Sequence, residues 1–266
     1  MSYGPPMPVH DVAARGFGSA AREYERGRPG YPDEVAELLR SELGVGPGRS
    51  VLDVGAGTGK FTRLLARTGA SVLALEPVEA MRTQLRAALP EIGLVGGSAE
   101  EIELRDGGVD VVTVATAFHW FDGARALAEF RRVLAPGGGL AIVWNARDQS
   151  VDWVRSIGDL VGAAVEQGAD AEHARHLEST DWRASFEQTQ LFEPLREIVV
   201  PHVHEADVDK QVARFLSISF VGALPAEGRA ALAADIEQLL RTHPATRGSE
   251  VVALPYLCEI YLYRAR

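Results

Sequence analysis

The stretch VLDVGAGTGK, residues 51–60, decides the fold. An apolar run leads into glycines at alternate positions, Gly55, Gly57 and Gly59, and apolar residues at helical spacing follow. This order is typical of a buried strand, a tight turn and a helix. Glycine permits positive φ and lets backbone amides approach a ligand closely. The stretch therefore predicts a nucleoside-type cofactor beside the turn.

Around this stretch, short apolar runs alternate with helical spacing from residue 50 to residue 145, which is typical of β-α units around a parallel sheet. A proline and glycine cluster at 135–139 is expected to stop one helix and turn the chain into the next strand. The predicted strands are Ser50–Val54, Ser71–Glu76, Ile92–Val95, Asp110–Ala115 and Leu140–Trp144.

The remaining chain divides into helical patterns and two late strand patterns. Helices are predicted at Pro32–Leu43, Val151–Gln167, Val208–Ile218 and Pro225–Arg241. The last three follow the regular β-α alternation and are candidates for a substrate lid. Strand character returns at Leu195–His204 and Val251–Tyr263, which would bring the sheet to seven strands.

An acidic residue complements the glycine turn. Glu76 ends the second predicted strand, where a carboxylate can accept hydrogen bonds from both ribose hydroxyls at the carboxyl edge of the sheet. NAD is the competing cofactor, because its binding loop also precedes such an acid. A dinucleotide fingerprint would place its third glycine at position 60, where Lys60 stands. A cofactor without phosphates is favoured.

Composition limits the possible partners. The 266-residue chain has a formal net charge of -10, so no overall positive field attracts nucleic acid or anionic lipid. The single cysteine, Cys258, lies in an apolar stretch and is predicted to be a buried thiol. Neither a secretory signal nor a membrane-spanning run is recognised, and no HExxH or paired CxxC predicts a metal site. We expect a cytoplasmic protein without a metal, and the sequence leaves its oligomeric state open.

Six segments together resemble class I S-adenosylmethionine-dependent methyltransferases, within the trans-aconitate methyltransferase-like and type 11 group. They are Tyr24 with RPGYP at 28–32, the glycine turn, Glu76-Pro77, GSAE at 97–100, AFHWFD at 117–122 and RVLAPGGG at 132–139. The resemblance implies a Rossmann-like, mostly parallel seven-stranded α/β sheet with an antiparallel last strand and a helical lid. Residues 1–45 would form an N-terminal segment with a cap helix, 46–146 the cofactor-binding core, and 147–266 the lid with the last two strands, all in one structural domain.

The resemblance also implies roles for individual residues. Arg28 would pair with the cofactor carboxylate beside Tyr24, Glu76 would hold the ribose, and Ser98-Ala99 would lie beside adenine, although many relatives have Asp where Ser98 stands. The full cofactor set is Tyr24, Arg28, Gly55, Ala56, Gly57, Thr58, Gly59, Glu76, Pro77, Met81, Ser98, Ala99, Glu100, Ala115 and Thr116.

The acceptor side is assigned to Tyr31 and to the segment after the fourth predicted strand. Tyr31, His119 and Trp120 are predicted to bind the substrate, and His119 is the candidate general base, with a loop-ordering histidine as the alternative. The expected reaction is methylation of a small metabolite or natural-product intermediate, at a carboxylate or hydroxyl oxygen first and at carbon next, and the family resemblance implies a carboxylate substrate. Two other interpretations stay open: a cofactor-binding regulatory protein without methylation, and a nicotinamide-dependent reductase.

Overall fold

A seven-stranded sheet forms the centre of the molecule, beside a separate two-stranded hairpin. The computed structural model describes residues 29–166, 182–222 and 224–266. The strands are β1 (Ser50–Val54), β2 (Ser71–Leu75), β3 (Gly93–Val95), β4 (Gly97–Ser98), β5 (Glu101–Ile102), β6 (Val109–Ala115), β7 (Leu134–Arg147), β8 (Phe192–Asp207) and β9 (Val251–Ala265). Strands β4 and β5 form the hairpin, and the large sheet has the order β3-β2-β1-β6-β7-β9-β8.

The direction of the strands matches the expected fold class. Strands β3, β2, β1, β6 and β7 run parallel to one another, and β9 is antiparallel to both β7 and β8. The central strands are buried almost throughout, because helices cover both faces of a sheet built from β-α units. The predicted Rossmann-like sheet with an antiparallel last strand is confirmed.

The helices are α1 (Asp33–Leu43), α2 (Lys60–Ala66), α3 (Glu79–Ala88), α4 (Gly123–Val133), α5 (Asp152–Glu166), α6 (Trp182–Thr189), α7 (Val208–Leu216), α8 (Ser219–Gly222) and α9 (Ala226–Thr242). The four helices predicted outside the β-α core correspond to α1, α5, α7 and α9, although Gln167 lies outside the described residues. Helix α6 was not predicted, because its one buried side chain, Phe186, gives no periodic pattern. Among the described residues, no helix has the length and apolar character needed to cross a bilayer.

Strand β7 is longer than predicted at both ends. Leu134 already pairs with Val109 on β6, and the next pair joins Gly139 to Val111, so residues 135–138 bulge between them. The expected turn is therefore present, but it is a bulge within a strand rather than a loop before it. Gly137, with φ of 69°, provides the backbone conformation that the bulge needs.

Three apolar clusters make up the core of the described residues. One lies between the sheet and helices α4 and α6, and includes Phe130 and Phe186; a second lies on the opposite face against α1 and α2, and includes Leu39 and Leu65. The third joins α5, α7 and α9, which we call the lid helices, to the first half of β9. The lid helices thus have an apolar core of their own beside the sheet.

Cys258 lies on β9 in the second cluster and is fully buried. Burial raises the pKa of its thiol to about 12, so the thiolate is not populated near neutral pH. The prediction of a buried thiol is confirmed.

Candidate functional site

A cavity of about 130 Å³ opens at the carboxyl ends of the parallel strands. A single water needs roughly 10–15 Å³, so the space suits an organic ligand. Its walls come from the segments that follow β1, β2 and β6, from the end of β7 and from α7. Pro29 and Tyr31, in the chain before α1, add a further part of the wall. Ligands of open α/β sheets bind at this edge.

The glycine turn forms the floor of the cavity. Gly55, Gly57 and Gly59 all have positive φ, at 70°, 58° and 90°. At Gly55 a Cβ would lie 2.6 Å from the Cβ of Ala117, so glycine is needed there for contact with the segment after β6. At Gly57 a Cβ would meet no atom within 4 Å in the part of the chain that the structure describes, apart from its sequence neighbours. Gly57 lines the cavity, and a side chain there would occupy ligand space.

Glu76 follows β2 and is 7% exposed at one end of the cavity. The Gly57 N–H donates to its Oε2 at 2.8 Å, and the Val78 N–H donates to its Oε1 at 2.8 Å. Each carboxylate oxygen thus accepts a backbone hydrogen bond, and an ionised carboxylate offers about four lone-pair sites in all. The same bonds fix the glycine turn to the end of β2.

Asp53 is a second acid in the cavity wall, and only 1% of it is exposed. The hydroxyl of Thr62 donates to its Oδ2 at 2.6 Å, and that of Thr113 donates to its Oδ1 at 3.0 Å. Burial raises the pKa of Asp53 to about 7, against the lowering effect of these two bonds. Its protonation is therefore balanced near neutral pH, and a cationic ligand beside it would favour the carboxylate.

The segment after β6 turns sharply into the cavity. Thr116 has φ of 52°, which is uncommon for a β-branched residue. Its N–H donates to the carbonyl of Val143 at 2.7 Å, and its Oγ1 lies 3.2 Å from the Tyr31 hydroxyl oxygen. Tyr31 packs edge-on against Phe61, with ring centroids 4.8 Å apart. Such backbone strain persists where neighbouring contacts hold it, often at functional sites.

A polar group from β7 and a cation from the lid complete the wall. Asn145 lies near the end of β7, where its Nδ2 donates to the carbonyl of Gly30 at 3.0 Å and its Oδ1 lies 2.6 Å from His202 Nε2. Arg214, on α7, is 6% exposed and also lines the cavity. The site thus has acids at the glycine turn and a buried guanidinium towards the lid.

The structure brings most of the predicted site residues together. Those that line the cavity are Tyr31, Gly55, Ala56, Gly57, Thr58, Glu76, Pro77, Met81, Ala115, Thr116 and Trp120. Gly59, although part of the turn, caps α2 instead, and Tyr24 and Arg28 lie outside the described residues. Their proposed contact with the cofactor carboxylate stays a prediction.

Four predicted residues are not among those that line the cavity. Ser98 belongs to the β4–β5 hairpin, Ala99 is buried in the first apolar cluster, and the Glu100 carboxylate accepts a bond from the Asp122 N–H at 2.9 Å. His119 lies in a 3-10 turn at Phe118–Trp120, with its ring centroid 5.4 Å from that of Trp144. Their contact with a ligand stays a prediction.

Sequence reasoning missed Asp53, Lys60, Asn145 and Arg214 as members of the wall. Asn145 comes directly after a predicted strand, so the rule that identified Glu76 would also have identified it. Arg214 gives no such signal, because a charged residue in an amphipathic helix usually lies on the solvated face.

Residues 52–142 match the family model described as a methyltransferase domain. An uncharacterized methyltransferase of Mycobacterium tuberculosis is 41% identical over 241 residues, which are 91% of this chain and 92% of that protein. A malonyl-[acyl-carrier protein] O-methyltransferase of Methylococcus capsulatus is 43% identical over 134 residues, 47% of this chain and 48% of the relative.

The fold is also similar to solved structures. A proposed type II methyltransferase from Anaeromyxobacter dehalogenans superposes with a TM-score of 0.61 at 27% identity, covering 90% of this chain and 97% of the other. The similarity therefore includes the lid region and the last strands as well as the β-α core.

Proposed function

This chain belongs to the class I S-adenosylmethionine-dependent methyltransferases, and on that premise we propose that it methylates a small molecule in the cavity at the sheet edge. We propose oxygen as the first choice of acceptor atom and carbon as the next. The name of the Methylococcus capsulatus relative, an O-methyltransferase, supports oxygen. The observation that carries the proposal is a cavity that joins the glycine turn and Glu76 to Asn145 and Arg214.

The residues at the glycine turn fit S-adenosylmethionine. Glu76 offers carboxylate oxygens to a ribose diol, and the absent side chain at Gly57 leaves room beside the backbone. Pro77, Val78 and Met81 line the same end and present apolar surface to a base. When bound, this cofactor supplies a methyl group on an electron-poor sulfonium centre. The residues present favour it over a dinucleotide, for which the turn lacks the third glycine at position 60.

The chain's own contribution is positioning and exclusion of water. The turn fixed by Glu76 and the strained segment at Thr116 form two rigid walls, and α7 closes the lid side. Holding a nucleophile in line with a methyl group lowers the entropic part of the barrier. A carboxylate acceptor is already ionised and needs no base, whereas an alcohol, phenol or carbon acid gains from one. We propose His119 as that base, two strands from Glu76 along the sheet edge.

The experiment has a binding stage and a transfer stage. Calorimetry compares S-adenosylmethionine, S-adenosylhomocysteine and NAD, and we expect binding of the first two and none of NAD. The protein is then incubated with the cofactor labelled in its methyl group and a panel of small acids, phenols and alcohols. Label in an acceptor supports the proposal. Tight binding without transfer over a broad panel would favour the non-methylating alternative, and binding of NAD alone would refute the cofactor.

A further inference from the structure

Residues 29–32, which we call the entry segment, lead into α1 and belong to no helix or strand. Side chains from the sheet edge hold this segment in place. The Tyr31 hydroxyl oxygen lies 3.2 Å from Oγ1 of Thr116. The carbonyl of Gly30 accepts a hydrogen bond from Nδ2 of Asn145, on β7, at 3.0 Å. Both chain neighbours of Gly30 line the cavity, so this bond fixes a part of the cavity wall.

The Gly30 carbonyl decides the orientation of the Asn145 amide. A backbone carbonyl can only accept, so the amide turns its NH2 group towards Gly30 and its Oδ1 the other way. This Oδ1 lies 2.6 Å from Nε2 of His202, on β8. Because an amide oxygen also only accepts, the bond requires a proton on Nε2 of His202. The neutral Nε2–H tautomer and the imidazolium both meet this requirement.

Packing holds the His202 ring in place. The ring stacks on Tyr256 of β9, with centroids 5.5 Å apart and planes 29° apart, and Tyr256 is 1% exposed. Burial lowers the pKa of His202 and favours the neutral ring, while the charge of Glu34 acts in the opposite direction. A half-buried ring stacked on a buried tyrosine presents its Nε2–H to Asn145 at a defined place.

His202 acts on the cavity from outside the residues that line it. Strand β9 lies between β7 and β8. The register places Asn145 opposite Cys258, and Cys258 opposite Val200. Side chains two residues apart on a strand share a face, so His202 lies on the same face of the sheet as Asn145. The influence of His202 on the cavity therefore passes through the Asn145 amide.

We propose that His202 is a positioning residue of the cofactor site. Its Nε2–H holds the Asn145 amide in the orientation that binds Gly30, and these three residues form what we call the latch. The inference rests on the proposed function, because it takes the cavity at the glycine turn as the cofactor site. Without the His202 donor the amide can rotate, and the entry segment loses its bond to β7. A wall that is ordered before the cofactor arrives lowers the ordering cost of binding.

The first test reads the latch directly and needs neither a ligand nor a variant that might not fold. Long-range proton–nitrogen NMR spectra of the full chain, labelled with ¹⁵N in histidine, distinguish the two neutral tautomers. Above neutral pH, where the ring is neutral, we expect His202 to be the Nε2–H tautomer, and the signal is assigned by its loss in His202→Gln. Asn145→Ala removes the acceptor and should reduce this preference. A wild-type His202 with its proton on Nδ1 would overturn the proposal.

The second test compares binding of S-adenosylhomocysteine by calorimetry. His202→Phe keeps an aromatic ring beside Tyr256 but removes the donor, and we expect about two- to tenfold weaker binding, the worth of one neutral hydrogen bond. His202→Gln loses the stacked ring but can donate to Asn145, so it should bind more tightly than His202→Phe. His204→Phe is the matched control, since His204 is half-buried on the same face of β8, and its affinity should equal that of wild type.

Other outcomes would overturn the inference. Unchanged affinity in His202→Phe would show that the latch does not serve the cofactor site. Weaker binding in His202→Gln than in His202→Phe would assign the effect to the stacked ring rather than to the donor, and an equal loss in His204→Phe would assign it to β8 in general. Failure of S-adenosylhomocysteine to bind the wild-type protein would refute the proposed function, while the tautomer of His202 would still decide whether the latch exists.

Discussion

Replacing Glu76 with alanine tests the cofactor end of the cavity. The side chain is 7% exposed and accepts the N–H groups of Gly57 and Val78, each at 2.8 Å. Alanine removes both acceptors, so two backbone donors must turn to water that enters the space. We therefore expect a modest loss of stability as well as weaker binding of S-adenosylmethionine.

The expected size follows from the bonds that a ribose would make. A hydrogen bond to a charged group contributes about 1.5 to 3 kcal/mol, because one partner is ionised. Losing one such bond corresponds to roughly tenfold to 150-fold in affinity, and losing two to more than that. The buried position supports the upper part of this range, since solvent screens the carboxylate little.

Calorimetry with S-adenosylmethionine measures the loss directly, and urea unfolding measures the accompanying change in stability. Glu79→Ala is the matched control, since Glu79 is an exposed acid three residues further on that pairs with Arg82. The control should bind the cofactor normally. Unchanged affinity in a folded Glu76→Ala variant would refute the ribose assignment, and an equal loss in Glu79→Ala would show a general effect of charge.

Three further changes address the rest of the site. Gly57→Val is expected to abolish cofactor binding, because a β-branched side chain disfavours φ of 58° and enters ligand space; normal affinity by calorimetry would contradict this. His119→Ala is expected to lower turnover by ~10²-fold or more, less so at high pH, with little change in cofactor affinity; normal turnover would leave His119 as a packing partner of Trp144. The stability of Asp53→Asn relative to wild type is expected to rise between pH 3.8 and about 7, because the Asp53 carboxyl of the native wild type holds its proton over that range and that of the unfolded chain loses it. A difference in the free energy of unfolding, measured with urea, that does not change with pH would contradict this.

The sheet was predictable because its residues follow a local rule. Buried strands such as β1 appear as continuous apolar runs, and the chain returns to the sheet after each helix. The glycine turn and Glu76 were predictable for a related reason, since both follow directly after such runs. The ends of β7 and β8 were not, because these strands continue through polar, proline and glycine residues that no periodic pattern includes.

The residues at the lid end of the cavity were harder to predict from the sequence. Arg214 and Tyr256 are 42 positions apart, and only packing of α7 against β9 brings the Nε–H to the hydroxyl. Asp53 lies within the glycine stretch, but its pKa is set by burial, which raises it, and by hydrogen bonds from two threonines of α2 and β6, which lower it. Contacts that depend on tertiary packing leave no local spacing to recognise.

The separate apolar core of the lid helices has a consequence for specificity. Neighbouring residues on α7 have different surroundings, since Phe215 is fully buried in that core and Arg214 borders the cavity. The lid core includes Trp153, Ile236 and Tyr256 and can hold α7 in place without side chains from the glycine turn. A substitution on the cavity side of α7 therefore changes the surface that meets the acceptor and leaves the cofactor end intact. Arg214→Gln should accordingly change acceptor binding far more than binding of S-adenosylhomocysteine, whereas Glu76→Ala should do the reverse. Parallel effects of the two variants on both ligands would show that the ends of the cavity are not independent.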